Sequence, residues 1–125
     1  MSEARRMRGT AARLSGRRGE VLAALWLMAK GYRILGFRYR LPQGEIDLLA
    51  ARGRVLAAVE VKARTSLEAA LEAVTPAQRR RLRAALEAYA ARRPRYVAAE
   101  LRLDLVALAP GRRPRHIRAA WGDES

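Results

Sequence analysis

Two short segments, Glu45-Ile46-Asp47 and Glu60-Val61-Lys62, hold the residue types that metal-assisted phosphoryl hydrolysis needs. Each alternates polar with apolar side chains, the period of a β-strand that turns one face to the core. Glu60 and Lys62 then share a face opposite Val59 and Val61, and Glu45, Asp47 and Leu49 share a face opposite Ile46 and Leu48. In a chain with 30% charged residues an acid-x-Lys strand is usually a solvated face, so its neighbours decide. If Arg52-Gly53 is a two-residue hairpin loop, Glu45 lies across from Glu60, while Asp47 faces Ala58 and lies diagonal to Glu60. A three-residue loop with a bulge would reverse that parity. Three carboxylates beside one ammonium repel one another unless a cation sits among them. Mg²⁺ or Mn²⁺, which prefer oxygen ligands and keep positions open for water and phosphate, would resolve the conflict. Lys62 would then orient or deprotonate an attacking water, or offset charge on a phosphorane.

The lysine is informative because only two of the 26 basic residues, Lys30 and Lys62, are Lys. A generic positive charge here would have been Arg, so Lys62 points to a demand for a compact ammonium whose pKa can move. Lys30 tempers this, since a helix C-terminus explains it without chemistry.

Around these segments the pattern alternates between elements. From Ser15 a helix is expected with Leu22, Leu25, Trp26 and Ala29 on its packed face and Gly31 as its stop. Tyr32 to Leu41 reads as a strand ending at Pro42-Gln43-Gly44, and residues 45–51 and 54–64 read as a hairpin. Residues 66–74 are a short helix or loop. Thr75-Pro76-Ala77-Gln78 opens a helix, with Thr as N-cap, Pro at the first position and Gln in a capping box. Its apolar stripe, Leu82, Ala85, Leu86 and Tyr89, runs to about Arg92, before Pro94. Leu101, Leu103 and Leu105 mark a fourth strand, and residues 116–121 a last short one after the basic loop from Pro110 to Arg115. The order is α-β-β-β-α-β-β, an α/β domain over residues 15–121. Residues 1–14, with four Arg, read as a flexible basic arm and 122–125 as a tail.

Composition bounds the function. The chain has 125 residues and a formal charge of +14, enough for one core and too few for two domains. Its longest apolar run, Val21 to Ala29, is far below the roughly 18 residues of a membrane span, and no secretory pattern follows, so a cytoplasmic protein is expected. With no Cys and one His, disulfides, thiolate catalysis, Cys-ligated zinc and any two-imidazole site are excluded. The basic excess makes a polyanion, foremost nucleic acid, the expected partner. The dominance of Arg and the absence of Asn fit either a thermophile or a GC-rich genome.

The two acidic segments, taken together, resemble the YraN family of small bacterial predicted endonucleases, similar to the PD-(D/E)xK restriction-endonuclease-like superfamily and to archaeal Holliday-junction resolvases. The resemblance extends to Gly19-Glu20, Gly31-Tyr32-Arg33-Ile34-Leu35, Arg102-Leu103-Asp104-Leu105-Val106 and His116 to Trp121, and so covers roughly residues 16–121. It implies a restriction-endonuclease-like mixed central sheet flanked by helices. It implies Asp47 and Glu60 as metal ligands, Lys62 as the catalytic lysine, and Glu20 as a helix-borne acid that orients water or completes the metal shell, with Glu45 as an accessory ligand. The reaction implied is Mg²⁺- or Mn²⁺-dependent hydrolysis of DNA, with branched or junction DNA as a candidate substrate. A junction resolvase acts as a symmetric homodimer, because two cuts related by a two-fold axis need two sites. Ile46 stands where the superfamily's name has Pro.

Other residues admit two readings each. Glu20 is also a first-turn acid favoured by the helix dipole. Gln78 fits capping as well as a contact to water or phosphate. Arg79, Arg80, Arg81 and Arg83 form either a solvated face or a phosphate grip near the acidic site, with Arg64 and Arg102 as further nucleic-acid candidates. Asp104 is expected to pair with an Arg, His116 to be a surface or partly packed imidazole, and Trp26 to be core or a dimer contact. Two alternatives to a nuclease stay open: a nucleic-acid-binding module that kept the fold without turnover, and a basic RNA- or ribosome-associated protein.

Overall fold

The computed structural model describes residues 16–122; the basic arm expected over residues 1–14 and all but the first residue of the expected tail lie outside this range. Helix α1 (Gly16–Ala29) leads into β1 (Arg33–Leu41), β2 (Gly44–Arg52) and β3 (Val55–Ala63), followed by α2 (Leu67–Glu72), α3 (Pro76–Ala91), β4 (Glu100–Leu108) and β5 (Arg115–Ile117). The five strands form one sheet in the order β1-β2-β3-β4-β5. Only β3 and β4 run parallel, because α2 and α3 carry the chain back across the sheet between them; the other neighbours are antiparallel. This is the expected mixed α/β sheet flanked by helices. The last strand is shorter than the expected 116–121: Ala119 adopts a positive φ of 46°, and residues 118–121 form turns.

The central strands β2, β3 and β4 are buried on both faces. On one, α3 lays Leu82, Ala85, Leu86 and Tyr89 over Ile46, Leu49, Leu56, Ala58 and Leu103. Its start is the expected capping box: Gln78 N–H donates to Thr75 Oγ1 (3.2 Å), and Thr75 N–H donates to Gln78 Oε1 (2.8 Å). On the other face, α1 packs Ala23, Ala24 and Leu27 against Leu48, Ala50, Ala57, Val59 and Val106.

The packed face of α1 differs from the expected one. Gly19, Glu20, Ala23, Ala24 and Leu27 are buried, whereas Leu22 and Leu25 are exposed. Small residues at these positions let the helix backbone approach a sheet face itself built of Ala, Leu and Val, and bulk alone does not identify the contact side. The stop is as expected: Gly31 has φ +93°, and its N–H donates to the Met28 carbonyl at 3.0 Å. Among the described residues no helix is long and apolar enough to cross a membrane.

Candidate active site on the second and third strands

The hairpin of β2 and β3 turns at Gly53-Arg54, with Gly53 at φ +55°, rather than at Arg52-Gly53. The pairs run from Arg52↔Val55 to Leu48↔Val59. Partners are therefore displaced by two residues from the expectation, with parity unchanged. The ladder ends one step short of Asp47 and Glu60, so Asp47, rather than Glu45, is the residue brought to Glu60. There the Asp47 side chain replaces the missing backbone bond, Oδ2 accepting from Val61 N–H at 3.0 Å.

The strict alternation expected of β2 also fails at this point. Ile46 and Leu49 both join the core under α3, while Leu48 joins the core under α1. The strand thus changes facing around Asp47. On the neighbouring strand Arg38 has φ +48°, and β1 pairs with β2 at Phe37↔Leu48 and Tyr39↔Ile46 on either side of it. A left-handed arginine costs on the order of 1 kcal/mol, so both strands carry an irregularity where the acidic residues sit.

Glu60 and Lys62 are largely buried, with side chains 13% and 23% exposed, and Lys62 Nζ lies 3.8 Å from Glu60 Oε2. That separation is a charge contact, longer than a hydrogen bond. Burial first, then the charge of Asp47, pushes the Glu60 carboxyl from 4.5 up to about 8; hydrogen bonding to Asp47 and the charge of Glu45 add to this, and Lys62 opposes it. The Glu60 carboxyl therefore keeps its proton at neutral pH. Glu45 lies at the mouth, its Oε2 accepting from Arg40 Nε at 3.1 Å. A cavity of about 220 Å³ lined by Gly44, Glu45, Glu60, Gln78, Arg81 and Leu82 opens between this strand end and α3. The capping box holds Gln78 there, and the exposed Arg81 brings positive charge to the rim.

Glu20 is placed differently. It is buried on α1, and Arg38 Nε donates to its Oε1 and Oε2 at 2.9 and 3.1 Å. Among the described residues no hydrogen bond or ion pair joins it to Asp47, Glu60 or Lys62. The six basic candidates divide by what they touch. Arg80 and Arg81 are exposed, and Arg64 is exposed with Nη1 donating to the Ala63 carbonyl at 2.8 Å. Arg79 donates to the Val74 carbonyl and stacks over Trp121; Arg83 donates to the Leu101 carbonyl; Arg102 is chelated by Asp104 at 2.8 Å through both Nε and Nη2.

Asp104 anchors a network whose extent the residue types did not reveal. Fully buried, it accepts from Arg102, from the Ala119 N–H at 3.1 Å and from His116 Nε2 at 2.7 Å. Burial alone would raise its pKa, but the hydrogen bonds from His116, Arg102 and Ala119, with the charge of Arg102, hold the carboxyl below the usual range. His116 Nδ1 meets Lys30 Nζ at 2.6 Å, and the imidazole, expected at the surface or partly packed, has its side chain 1% exposed. The alternation of Leu101, Leu103 and Leu105 places Asp104 on the α1 face; the approach of Lys30 and His116 comes from the end of α1 and from β5, too distant in sequence for spacing to reveal.

Comparison with known proteins shows the family to which the chain belongs. Residues 19–108 match the model described as "Uncharacterised protein family UPF0102". A UPF0102 protein of Caulobacter sp. (strain K31) is 71% identical over 114 residues, covering 91% of this chain and 82% of its own. One of Caulobacter vibrioides (strain NA1000 / CB15N) is 65% identical over 118 residues, covering 94% of each, and one of Bradyrhizobium diazoefficiens is 50% identical over 107 residues, covering 86% and 80%. The family match spans most of the domain, including Glu20, both acidic strands and β4, and the chain belongs to the UPF0102 family, the YraN-like family its acidic segments resemble.

Proposed function

We propose that this protein is a divalent-metal-dependent endonuclease that hydrolyses DNA phosphodiesters at the Asp47–Glu60–Lys62 site. The observation that carries this reading is the close Asp47–Glu60 pair, in which burial and the charge of Asp47 keep Glu60 protonated at neutral pH, so that a bound cation would favour its ionised form. Its donors are hard oxygens, which fit Mg²⁺ or Mn²⁺. Among the described residues no group of three or more carboxylates or imidazoles is arranged to hold a metal, so Asp47 and Glu60 would hold the ion with water and phosphate completing its shell, as is common for Mg²⁺. Glu45, engaged by Arg40, is an accessory ligand at most. When bound, the ion would neutralise charge on the phosphate and polarise the phosphoryl oxygen.

The chain's own groups do the rest. The Lys62 ammonium, held against Glu60, donates a hydrogen bond to the attacking water or to a phosphate oxygen, which lowers the cost of charge developing in the transition state. Arg81 on the cavity rim, with Arg80 and Arg64 on the exposed surface, positions the phosphate backbone. Glu20 enters as a water-orienting acid only if Arg38 releases it to the substrate side. Branched or junction DNA is the proposed preference, and a homodimer would supply the second site that a symmetric junction needs.

The test is cleavage of labelled linear, flapped and four-way-junction DNA with Mg²⁺, Mn²⁺ or EDTA. Wild type should cut only with metal, and Asp47→Ala and Lys62→Ala should abolish cutting while leaving affinity in EDTA within about threefold. Binding without cutting under all conditions would transfer the protein to the binding-module reading.

A further inference from the structure

The loop that follows β4 carries cations for which the proposed reaction has no use. Arg112, Arg113 and Arg115 are exposed, and among the described residues their side chains make no hydrogen bond or ion pair. With Arg64, Thr65 and Ser66 they line a cavity of about 60 Å³ whose wall contains no Asp or Glu. Of the four arginines that line it, Arg64 also donates through Nη1 to the Ala63 carbonyl at 2.8 Å, and none of the four meets a carboxylate among the described residues, a concentration of positive charge that an anion would offset. The hollow is far smaller than the roughly 300 Å³ of a small-molecule pocket; Leu67, Ala107, Leu108 and Ala109 form the apolar part of its wall, and the arginines with the Thr65 and Ser66 hydroxyls, the latter also accepting from the Ala69 N–H at 3.1 Å, supply donors for a single phosphate group.

Its place in the fold links it to the acidic site. The parallel strands end together, with Ala63 paired to Leu108 and Arg64 N–H donating to the Leu108 carbonyl at 3.0 Å. The cavity lies at that carboxyl edge, where open sheets with parallel strands place ligands. Arg64 follows Lys62 by two residues and Glu60 by four, a strand length of about 13 Å. A nucleic-acid strand lying over Glu60 can therefore present another of its phosphates to the arginines.

We propose that the Arg64–Arg112–Arg113–Arg115 cavity is a second phosphate subsite, gripping a phosphate of the same DNA strand away from the scissile one. Its placement on the substrate rests on the nuclease reading, whereas the recognition of phosphate does not. The phosphate is either an internal diester or a 5′-terminal monoester.

The experiment measures binding by fluorescence anisotropy in EDTA, where no cutting occurs, using the full chain and labelled single strands ending in 5′-phosphate or 5′-hydroxyl. Arg112→Ala/Arg113→Ala/Arg115→Ala is compared with a charge-matched triple at the far end of the sheet, Arg54→Ala/Arg92→Ala/Arg95→Ala. The cavity triple should bind about tenfold more weakly at moderate salt, its log–log salt slope falling by about 0.7 for each phosphate that is no longer neutralised. The control triple should lose clearly less. A loss confined to the 5′-phosphorylated strand assigns the terminal group, and an equal loss on both strands assigns a diester. No loss, or the same loss in both triples, overturns the subsite. The exposed side chains predict an unchanged melting temperature; if the triple melts early, Arg113→Ala against Arg113→Lys reads the same affinity. Because binding is read without metal, failure of the subsite is distinct from failure of the nuclease reading, which Asp47→Ala tests by cleavage.

Discussion

Glu60 is the residue whose environment most constrains the chemistry. Its carboxyl is raised from 4.5 to about 8, so below about pH 4.5 it is protonated in both the folded and unfolded chain and contributes nothing to pH dependence. Between the two values the unfolded chain releases the proton first, and stability falls as pH rises; above about 8 the penalty is complete. Glu60→Gln removes the titration. In EDTA the melting temperature of Glu60→Gln should exceed that of wild type by a margin that grows from pH 5 to pH 8, reaching about 5 °C or more. Mg²⁺ should raise the wild-type value at pH 8 and leave Glu60→Gln nearly unchanged, because binding to the folded chain alone stabilises it. A margin that stays flat with pH would show that the Glu60 carboxyl is not raised. Lys62→Arg should not restore cutting lost in Lys62→Ala, with both at least about 100-fold below wild type, since a planar guanidinium does not replace a compact ammonium against Glu60. Full activity in Lys62→Arg would show that charge alone suffices.

At the scale of elements, the Asp104 network holds β4, β5 and the end of α1 together without taking part in the proposed chemistry. Asp104→Ala leaves Arg102 buried without its carboxylate and should cost on the order of 3–5 kcal/mol by urea denaturation. Thr75→Ala, which opens the capping box of α3, should cost only about 1 kcal/mol. Comparable losses in the two would mean that the network is no more than a surface contact.

The same elements show how far the sequence could be read. Strand alternation, the Thr75-Pro76 start and the Gly31 stop made the element order and α3 legible, because each is a local signal with one physical cause. The pairing of Glu60 with Asp47 needed the hairpin register, and Gly53-Arg54 competes with Arg52-Gly53 as a turn until strand pairing selects one. The facing of β2 was hidden by the irregularity at Asp47, and the packed side of α1 by the preference of a tight helix–sheet contact for Gly19, Ala23 and Ala24 over Leu22 and Leu25. The Arg38–Glu20 pair depends on a left-handed arginine, which no residue pattern announces.

For the whole molecule, the formal charge of +14 sets how it meets a partner. Affinity for duplex DNA should fall linearly on a log–log plot against salt, with a slope near −0.9 for each phosphate neutralised. A slope near zero would remove the polyanion from the account. RNA competing better than branched DNA at equal salt would favour the ribosome-associated alternative. Charge, however, brings nucleic acid to the surface without cutting it, and cutting is assigned to the strand pair where two carboxylates and a lysine meet. The most direct measurement is the cleavage of labelled four-way-junction and linear DNA by wild type and Asp47→Ala at equal bound fraction, with Mg²⁺ and with EDTA. Cuts made by wild type in Mg²⁺ alone, and absent from Asp47→Ala, are the predicted result; equal cutting by both proteins, or none by a wild type that binds with Mg²⁺ present, would contradict it.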